Sequence, residues 1–282
     1  MKVLIIKGFL HHKNEEGFVK ILNYLKIEYK NGGEEDIKNY DIIYSPSRPI
    51  DTSKYIEKKF IFGPHFSVFP TRSLLFINNI NNNSIYIQPS KWAEKVWSNM
   101  GANTILPIKV LPLPVNIEKF KPIDNIKKGK VFIYFKRRNP EELEFLKCEL
   151  DKRNVEYIIF DYIKRYKEED YLKYLQYSKY GIILDAHESQ GFAIEEAMSC
   201  NVPLLVWSAT KMNQEYGSSY EAIPCTSVPY WDERCGEIFY NKNEFKIKYD
   251  EFISKLETYK PREYVLENLG VEKCAENFHK LL

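Results

Sequence analysis

The segment from residue 187 to residue 198 carries side chains well suited to ligand chemistry. It reads His-Glu-Ser-Gln-Gly-Phe-Ala-Ile-Glu-Glu-Ala-Met and follows an apolar run at 181–184 that predicts a strand. A glycine turn that opens a helix presents backbone N–H groups at the positive end of the helix dipole, which favours an anion such as a diphosphate. Glu188 and Glu196 lie on either side of Gly191, and ionised carboxylates accept strong hydrogen bonds from sugar hydroxyls. The alternative is a loop glutamate followed by an exposed helix glutamate.

A second cluster is cationic and ends the strand predicted at 131–135. It reads Lys136-Arg137-Arg138, and a helix that begins at Pro140 follows it. Arginine grips phosphate oxygens bidentately, and positive charge beside a bridging oxygen stabilises a departing diphosphate. Lys136 and Arg137 are therefore the predicted phosphate ligands. The alternative is that one or more of these cations is a solvated loop charge.

Histidines mark the third candidate region, in the first half of the chain. His65 follows the strand predicted at 59–62, and histidine shares protons near neutral pH, so it is the predicted acceptor-side residue. His11 and His12 lie with Gly8 in the first strand-helix loop, which we expect to line the same acceptor site. A structural role for His65 and a solvated position for the loop histidines are the alternatives.

Composition limits the other classes of function. The formal charge of +2 is too balanced to indicate nucleic-acid binding, and packing is the favoured role of the tyrosines between 157 and 180. The five cysteines and five histidines show no metal-ligand spacing, so no metal is expected. We find no targeting segment and no apolar run of about 18 residues, which leaves only peripheral membrane contact. The odd cysteine count fits a reducing cytosol.

Strand-like and helix-like segments alternate along the chain, which predicts parallel sheets of the α/β class covered on both faces. A charged segment with proline and glycine at 120–130 is the predicted linker. The predicted domains are 1–122, on the acceptor side, and 123–262, which binds the donor, followed by a C-terminal helix at 263–282 that packs back toward the first domain. The predicted strands are 3–6, 41–44, 59–62, 84–87, 131–135, 156–160, 181–184 and 203–206. The predicted helices of the second half are 140–153, 168–178 and 192–200.

Four segments in register resemble the retaining glycosyltransferases of family four. That family has two glutamates with seven residues between them, a glycine turn, a Glu-Ala-Met helix and a Val-Pro strand, and residues 188–203 are similar to this pattern. Residues 88–96, 110–122 and 267–278 resemble its serine-helix, interdomain and closing-helix segments, so that the resemblance covers about 84–282. The family has an arginine followed several residues later by a lysine, whereas this chain has an acidic or apolar residue at the later position.

The resemblance implies a GT-B fold, in which two Rossmann-like domains with parallel sheets face one another across a cleft. It implies that Glu196 holds the ribose hydroxyls, and that Glu188 and the backbone of Gly191, Phe192 and Ala193 face the donor sugar and its phosphates. Gln190 belongs to the same predicted donor-binding loop. The residues expected to take part in catalysis are Glu188, His65, Lys136 and Arg137.

The expected function is transfer of a sugar from a nucleoside diphosphate sugar, a UDP-sugar or GDP-sugar, to a glycan, lipid-linked or small-molecule acceptor, with retention of configuration. No cofactor beyond the donor is expected, and a cytoplasmic location fits. An inverting transferase or an epimerase on the same fold, with His65 as base, is one alternative. A non-catalytic module that binds sugar nucleotides or glycans is another.

Overall fold

The computed structural model describes residues 1–70 and 79–282. These residues form two compact units, Met1–Pro114 together with Val271–Leu282, and Val115–Gly270. Each unit contains one sheet in which all paired strands run parallel, as the alternation of strands and helices predicts.

The strands are β1 (Lys2–Ile6), β2 (Glu28–Gly32), β3 (Ile42–Ser45), β4 (Lys59–Phe62), β5 (Ile85–Gln88), β6 (Ile108–Val110), β7 (Lys130–Lys136), β8 (Tyr157–Asp161), β9 (Ser178–Asp185), β10 (Leu204–Trp207) and β11 (Gly236–Phe239). The α-helices of the described residues are α1 (His12–Tyr24), α2 (Lys91–Asn99), α3 (Pro140–Asp151), α4 (Glu168–Tyr177), α5 (Phe192–Ser199), α6 (Phe245–Ser254), α7 (Pro261–Leu269) and α8 (Val271–His279).

The first unit has a six-stranded sheet in the order β2-β1-β3-β4-β5-β6. Its interior strands β1, β3, β4 and β5 are short, mostly apolar runs, and Tyr86 of β5 stacks on Trp97 of α2 with ring centres 4.2 Å apart. The returning helix α8 contributes Phe278, whose ring meets Phe18 of α1 edge-on at 5.4 Å. The end of the chain is thus part of the core of this unit.

The second unit has a five-stranded sheet in the order β11-β10-β9-β7-β8. Alternate residues of β7 enter two different cores, because successive side chains of a strand point to opposite faces. Phe132 and Tyr134 pack in a core with residues of α4, α5 and α7. Val131 and Ile133 pack in a core with residues of α3 and α6. Helices therefore cover both faces of this sheet.

The chain passes between the units at 114/115 and 270/271, whereas the sequence places the boundaries at 122/123 and 262/263. Two contacts explain the difference. Phe120, in the predicted linker, is buried in the core of the second unit. The N–H of Val115 donates to the carbonyl of Leu269 at 3.1 Å, which joins both ends of that unit. The tail forms two helices separated by Gly270 rather than one helix at 263–282.

Candidate functional site

The loop between β9 and α5 places the glycine turn at the carboxyl edge of the second sheet. Gly191 precedes the helix with φ +93°, in the left-handed region that glycine adopts at little cost. Its carbonyl accepts the N–H groups of Ile194 and Glu195, both at 3.0 Å. The amides of Phe192 and Ala193 lie in the first turn of the helix, where the helix itself supplies no acceptor. This end of α5 is suited to an anionic group.

Lys136, the last residue of β7, donates to the carboxylate of Glu188. The two residues are mostly buried, with 16% and 15% of their side chains exposed. Burial alone would lower the pKa of Lys136, but the charges of Glu188 and Asp185 outweigh it and hold the pKa above its usual value. Burial alone would raise the pKa of Glu188, but Lys136 outweighs it and the pKa falls. The pair is charged at neutral pH.

Asp185, at the end of β9, lies beside this ion pair. It is fully buried, and burial raises its pKa well above the usual value for a carboxyl group. A hydrogen bond between the Asp185 and Glu188 side chains contributes to the shifts of both. Asp185 Oδ1 also accepts the N–H of Ala186 at 2.7 Å. Asp185 is therefore harder to ionise than Glu188, which has Lys136 as its direct partner.

Arg137 lies at the exposed rim of the same cluster, with a half-exposed side chain. Its Nη1 donates to Glu215 Oε1 at 3.2 Å, and its carbonyl accepts the N–H of Tyr216 at 2.8 Å. The second carboxylate oxygen of Glu215 is 3.4 Å from Nδ1 of His187. Burial lowers the pKa of His187, against the opposing charge of Glu215. The segment after β10 thereby supplies a carboxylate shared by Arg137 and His187.

Arg138, the third cation of the run, faces inward instead. Its side chain is 1% exposed and forms two hydrogen bonds with the carboxylate of Glu142, at 2.8 and 2.9 Å. Its Nη1 also donates to the carbonyls of Asp185 and Trp207, at 3.1 and 3.0 Å. Arg138 therefore joins the carboxyl ends of β7, β9 and β10.

The remaining predicted donor-site residues are buried. The Gln190 side chain donates to Glu195 at 3.1 Å, inside the protein. Glu196 is 3% exposed and contributes to the raised pKa of Tyr166, about 12, for which burial is the main cause. Tyr166 is hydrogen-bonded to Tyr134, whose raised pKa includes an effect of Glu188. Both glutamates thus border one tyrosine cluster.

The predicted acceptor-side residues come together in the first unit. Nδ2 of Asn14 is 2.7 Å from Nε2 of His65, and Phe9 meets the His65 ring edge-on with centres 5.5 Å apart. Because an amide nitrogen only donates, Nε2 is the acceptor and the ring proton is on Nδ1. Burial and the nearby His11 lower the pKa of His65 to about 4. His65 is consequently neutral at physiological pH.

The loops that carry Gly8, His11 and His65 approach one another. A Cβ placed on Gly8 would collide with the hydroxyl of Ser47, in the loop after β3. His12 is the first residue of α1, and its ring lies 4.6 Å from that of His11. Three strand ends of the first sheet thus meet at this cluster.

Sequence reasoning missed Asp185, Glu215 and the buried role of Arg138. Asp185 had a signal, since it ends an apolar strand, and the carboxyl ends of strands are where open α/β sheets bind ligands. Glu215 had none, because it lies in an irregular segment 27 positions after Glu188. The hydrogen bond between Glu215 and Arg137 depends on the path of the chain after β10.

Comparison with solved structures places this architecture among known folds. The chain resembles a lipopolysaccharide outer core galactosyltransferase, WaaB in its apo form, with TM-score 0.58, 14% identity and coverage of 100% of this chain and 99% of that one. The fold is GT-B. A sucrose-phosphate synthase from Thermosynechococcus elongatus gives TM-score 0.56, 12% identity and coverage of 98% and 79%.

A third GT-B structure is the pneumococcal O-GlcNAc transferase GtfA in complex with UDP and GlcNAc. It gives TM-score 0.52, 12% identity and coverage of 85% of this chain and 56% of that one. At these identities the likeness establishes the fold. No family model matches the chain, and no curated protein matches it in sequence.

Two kinds of feature are absent from residues 1–70 and 79–282. None of the helices there has the length and apolar character that crossing a membrane requires. No three His, Cys, Asp or Glu side chains within those ranges gather where they would hold a metal ion.

Proposed function

We propose that this protein is a glycosyltransferase that moves a sugar from a nucleoside diphosphate sugar to an acceptor hydroxyl of a glycan, a lipid or a small molecule. The observation that carries the proposal is the arrangement at the carboxyl edge of the second sheet. There the cations Lys136 and Arg137 follow β7, and the amino end of α5 follows the neighbouring strand β9. Ligands of open α/β sheets bind at this edge.

Each part of the donor has a suitable group there. Lys136 keeps its proton at neutral pH, and Arg137 extends a half-exposed guanidinium, so both supply positive charge for a diphosphate. Glu188 stays ionised and accepts hydrogen bonds from sugar hydroxyls. Charge that develops on the departing diphosphate is stabilised most in the transition state, which is the condition for catalysis.

Retention of configuration is the stereochemical course we propose. The resemblance to the retaining family four supports it, and in that family the leaving phosphate helps to deprotonate the acceptor. In this chain His65 holds its proton on Nδ1 and accepts from Asn14 at Nε2, which suits a hydrogen-bond donor to the acceptor better than a base. The inverting and epimerase alternatives have His65 as the base, and this arrangement of its protons does not favour that role.

We propose further that transfer needs no metal and takes place in the cytoplasm, with no more than peripheral membrane contact. The positive charges of Lys136 and Arg137 would stabilise the negative charge of the diphosphate, as a divalent cation does in many phosphoryl-transfer sites. Activity that persists in EDTA would agree with this, and activity that depends on added Mg²⁺ or Mn²⁺ would contradict it.

The first experiment is a thermal-shift screen with UDP, GDP and their sugars, since a ligand that binds only the folded state raises its stability by about 2.7 kcal/mol at 100 times Kd. The UDP complex of the GtfA transferase makes UDP the first nucleotide to test. Arg137→Ala and Glu188→Gln should weaken the stabilisation. Lys246→Ala, at an exposed cation of α6, is the matched control.

Two results would reject the proposal. One is the absence of stabilisation by any nucleoside diphosphate or sugar nucleotide. The other is donor binding without transfer or hydrolysis across a broad acceptor panel, which would favour the non-catalytic module. For an active enzyme, NMR of the product anomer decides between retention and inversion.

A further inference from the structure

An exposed aromatic ring borders the cations of the candidate site. Tyr162 is the first residue after β8 and is 44% exposed, whereas Tyr171 and Tyr180, later in the same tyrosine-rich stretch, are buried. Nζ of Lys136 is 4.7 Å from the centre of the Tyr162 ring, and Cζ of Arg137 is 5.8 Å from it. Both distances are within the range of a cation–π interaction. The ring and the two cations therefore belong to one surface.

Hydrogen bonds hold the backbone around Tyr162 in place. Its N–H donates to the carbonyl of Phe135 in β7 at 3.0 Å, and its own carbonyl accepts the N–H of Arg165 at 3.3 Å. Asp161 Oδ1 accepts the N–H of Ile163 at 2.9 Å. A ring carried on a fixed turn loses little conformational entropy when a ligand stacks on it, because tyrosine has only two side-chain torsions.

The sheet order indicates which half of a donor reaches this ring. In the sheet, β7 has β9 and then β10 on one side, which we call the β10 direction, and β8 on the other side, the β8 direction. The β10 direction carries the carboxylate of Glu215, which repels an anionic ligand. The β8 direction carries Tyr162 and, in the same turn, Tyr166, which interacts electrostatically with both Glu196 and Lys136. The glutamate predicted to hold the ribose thus faces the β8 direction.

We propose that Tyr162 is the stacking surface for the heteroaromatic base of the nucleoside diphosphate. This rests on the proposed function, and it assigns the nucleoside half of the donor to the turn at 162–166. Ile163, 70% exposed beside Tyr162, extends the apolar surface. Stacking uses the π-face that every base has, so the turn contributes affinity for the base whichever base the donor carries.

The test compares ligands with and without a base. Calorimetry measures the affinities of UDP, GDP, a sugar 1-phosphate and inorganic pyrophosphate for the full chain and for Tyr162→Ala, Tyr162→Phe and Tyr216→Ala. Tyr162→Ala should lower the affinity for whichever of UDP and GDP binds more tightly by about tenfold to a hundredfold, as base–aromatic stacking predicts. It should change the affinity for pyrophosphate by less than about twofold. Tyr162→Phe should keep nucleotide affinity. Tyr216→Ala, which removes an exposed ring in the β10 direction, should not reduce it.

Four results would overturn the assignment. An equal loss of nucleotide and pyrophosphate in Tyr162→Ala would mean that the ring only positions the cations. Unchanged nucleotide affinity would mean that it has no role, and a selective loss in Tyr216→Ala would move the base to the other side. A loss of sugar 1-phosphate affinity in Tyr162→Ala would assign the ring to the sugar. If the wild-type chain binds neither nucleotide, the proposed function itself fails.

Discussion

Glu215 accepts a hydrogen bond from Arg137, with 3.2 Å between Oε1 and Nη1. The two residues are far apart in sequence: Arg137 directly follows β7, whereas Glu215 lies in the irregular segment after β10. Arg137 has φ 52°, in the left-handed region that is uncommon for residues other than glycine, and the N–H of Tyr216 holds its carbonyl. The segment after β10 therefore fixes both the backbone and the side chain of Arg137. Strain that neighbouring contacts maintain is frequent at functional sites.

The first prediction is that Glu215 acts on the donor through Arg137. Glu215→Ala should weaken binding of a nucleoside diphosphate, because the guanidinium loses its anchor and must be ordered when the ligand binds. In the Arg137→Ala background the same change should have little effect. Calorimetry on the four proteins gives the coupling, which we expect at about 1 kcal/mol, within the usual range for residues in contact.

Two results would contradict this role. Additive losses would mean that Glu215 acts independently of Arg137. Tighter binding in Glu215→Ala would mean that repulsion between the Glu215 carboxylate and the diphosphate outweighs the benefit of anchoring Arg137. Glu215→Gln keeps an acceptor oxygen and should recover part of the affinity, which a purely structural role would not predict.

The second prediction separates the charge of Arg137 from its backbone strain. Arg137→Ala and Arg137→Gly both remove the guanidinium and should weaken nucleotide binding equally. The glycine variant should be more stable than the alanine variant by about 1 kcal/mol, because left-handed backbone costs a side-chain-bearing residue about that much. Urea unfolding measures the difference. Equal stabilities would show that this backbone conformation is not strained.

Most of the second sheet was predictable because its interior strands are continuous apolar runs. The predicted strands lie within one residue of β1, β3, β4, β5, β7, β8 and β10 at each end, and β9 begins three residues early, at Ser178. The missed strands β2, β6 and β11 are all at sheet edges. An edge strand pairs on one side only and need not be apolar, and the Glu-Tyr-Lys-Asn-Gly run of β2 has no hydrophobic pattern to detect.

The parts of the candidate site that adjacent residues form were predictable from the sequence. The glycine turn at Gly191 is predictable from the sequence. The cations Lys136 and Arg137 come at the end of a strand that the sequence predicts clearly. The pairing of Lys136 with Glu188 depends on β7 and β9 being neighbours, which an unaligned sequence does not specify. The buried position of Arg138 was not predictable, because Arg137 and Arg138 follow the end of β7 and the left-handed backbone of Arg137 turns the chain there.

The third prediction concerns the buried Arg138. Arg138→Met should lower the free energy of unfolding by about 3 kcal/mol, because Glu142 and two strand-end carbonyls lose their donor. Adding Glu142→Leu should restore part of the loss, since both partners are then apolar. Lys164→Met, at an exposed position, is the control and should have little effect. A loss in Arg138→Met no larger than in the control would contradict the prediction.

The fourth prediction concerns Gly191. Gly191→Ala should cost about 1–2 kcal/mol of stability through its left-handed backbone. Gly101, with φ +86° and open space where a Cβ would lie, is a matched position in the other unit, and Gly101→Ala should cost about as much. Only Gly191→Ala should weaken nucleotide binding. The added Cβ of residue 191 would lie 3.4 Å from Cβ of Glu188, one of the predicted donor-binding residues. Equal nucleotide affinities in the two variants would contradict a role for the α5 turn.

The last prediction is a pH dependence that His65 gives to stability. Its pKa is about 4 in the folded protein, below the ordinary value of 6.5, so between these pH values the unfolded chain binds a proton that the folded chain does not. The free energy of unfolding should therefore fall as the pH is lowered from 6.5 to 4, and His65 should contribute fully above 6.5. His65→Gln cannot take up this proton, so its urea midpoint should fall less than that of the wild type between about pH 7 and about pH 5. His279→Gln changes an exposed histidine of the same unit and should keep the wild-type fall. Equal falls in the wild type and His65→Gln would mean that His65 is not held neutral by burial, which would also remove the argument that it donates from Nδ1.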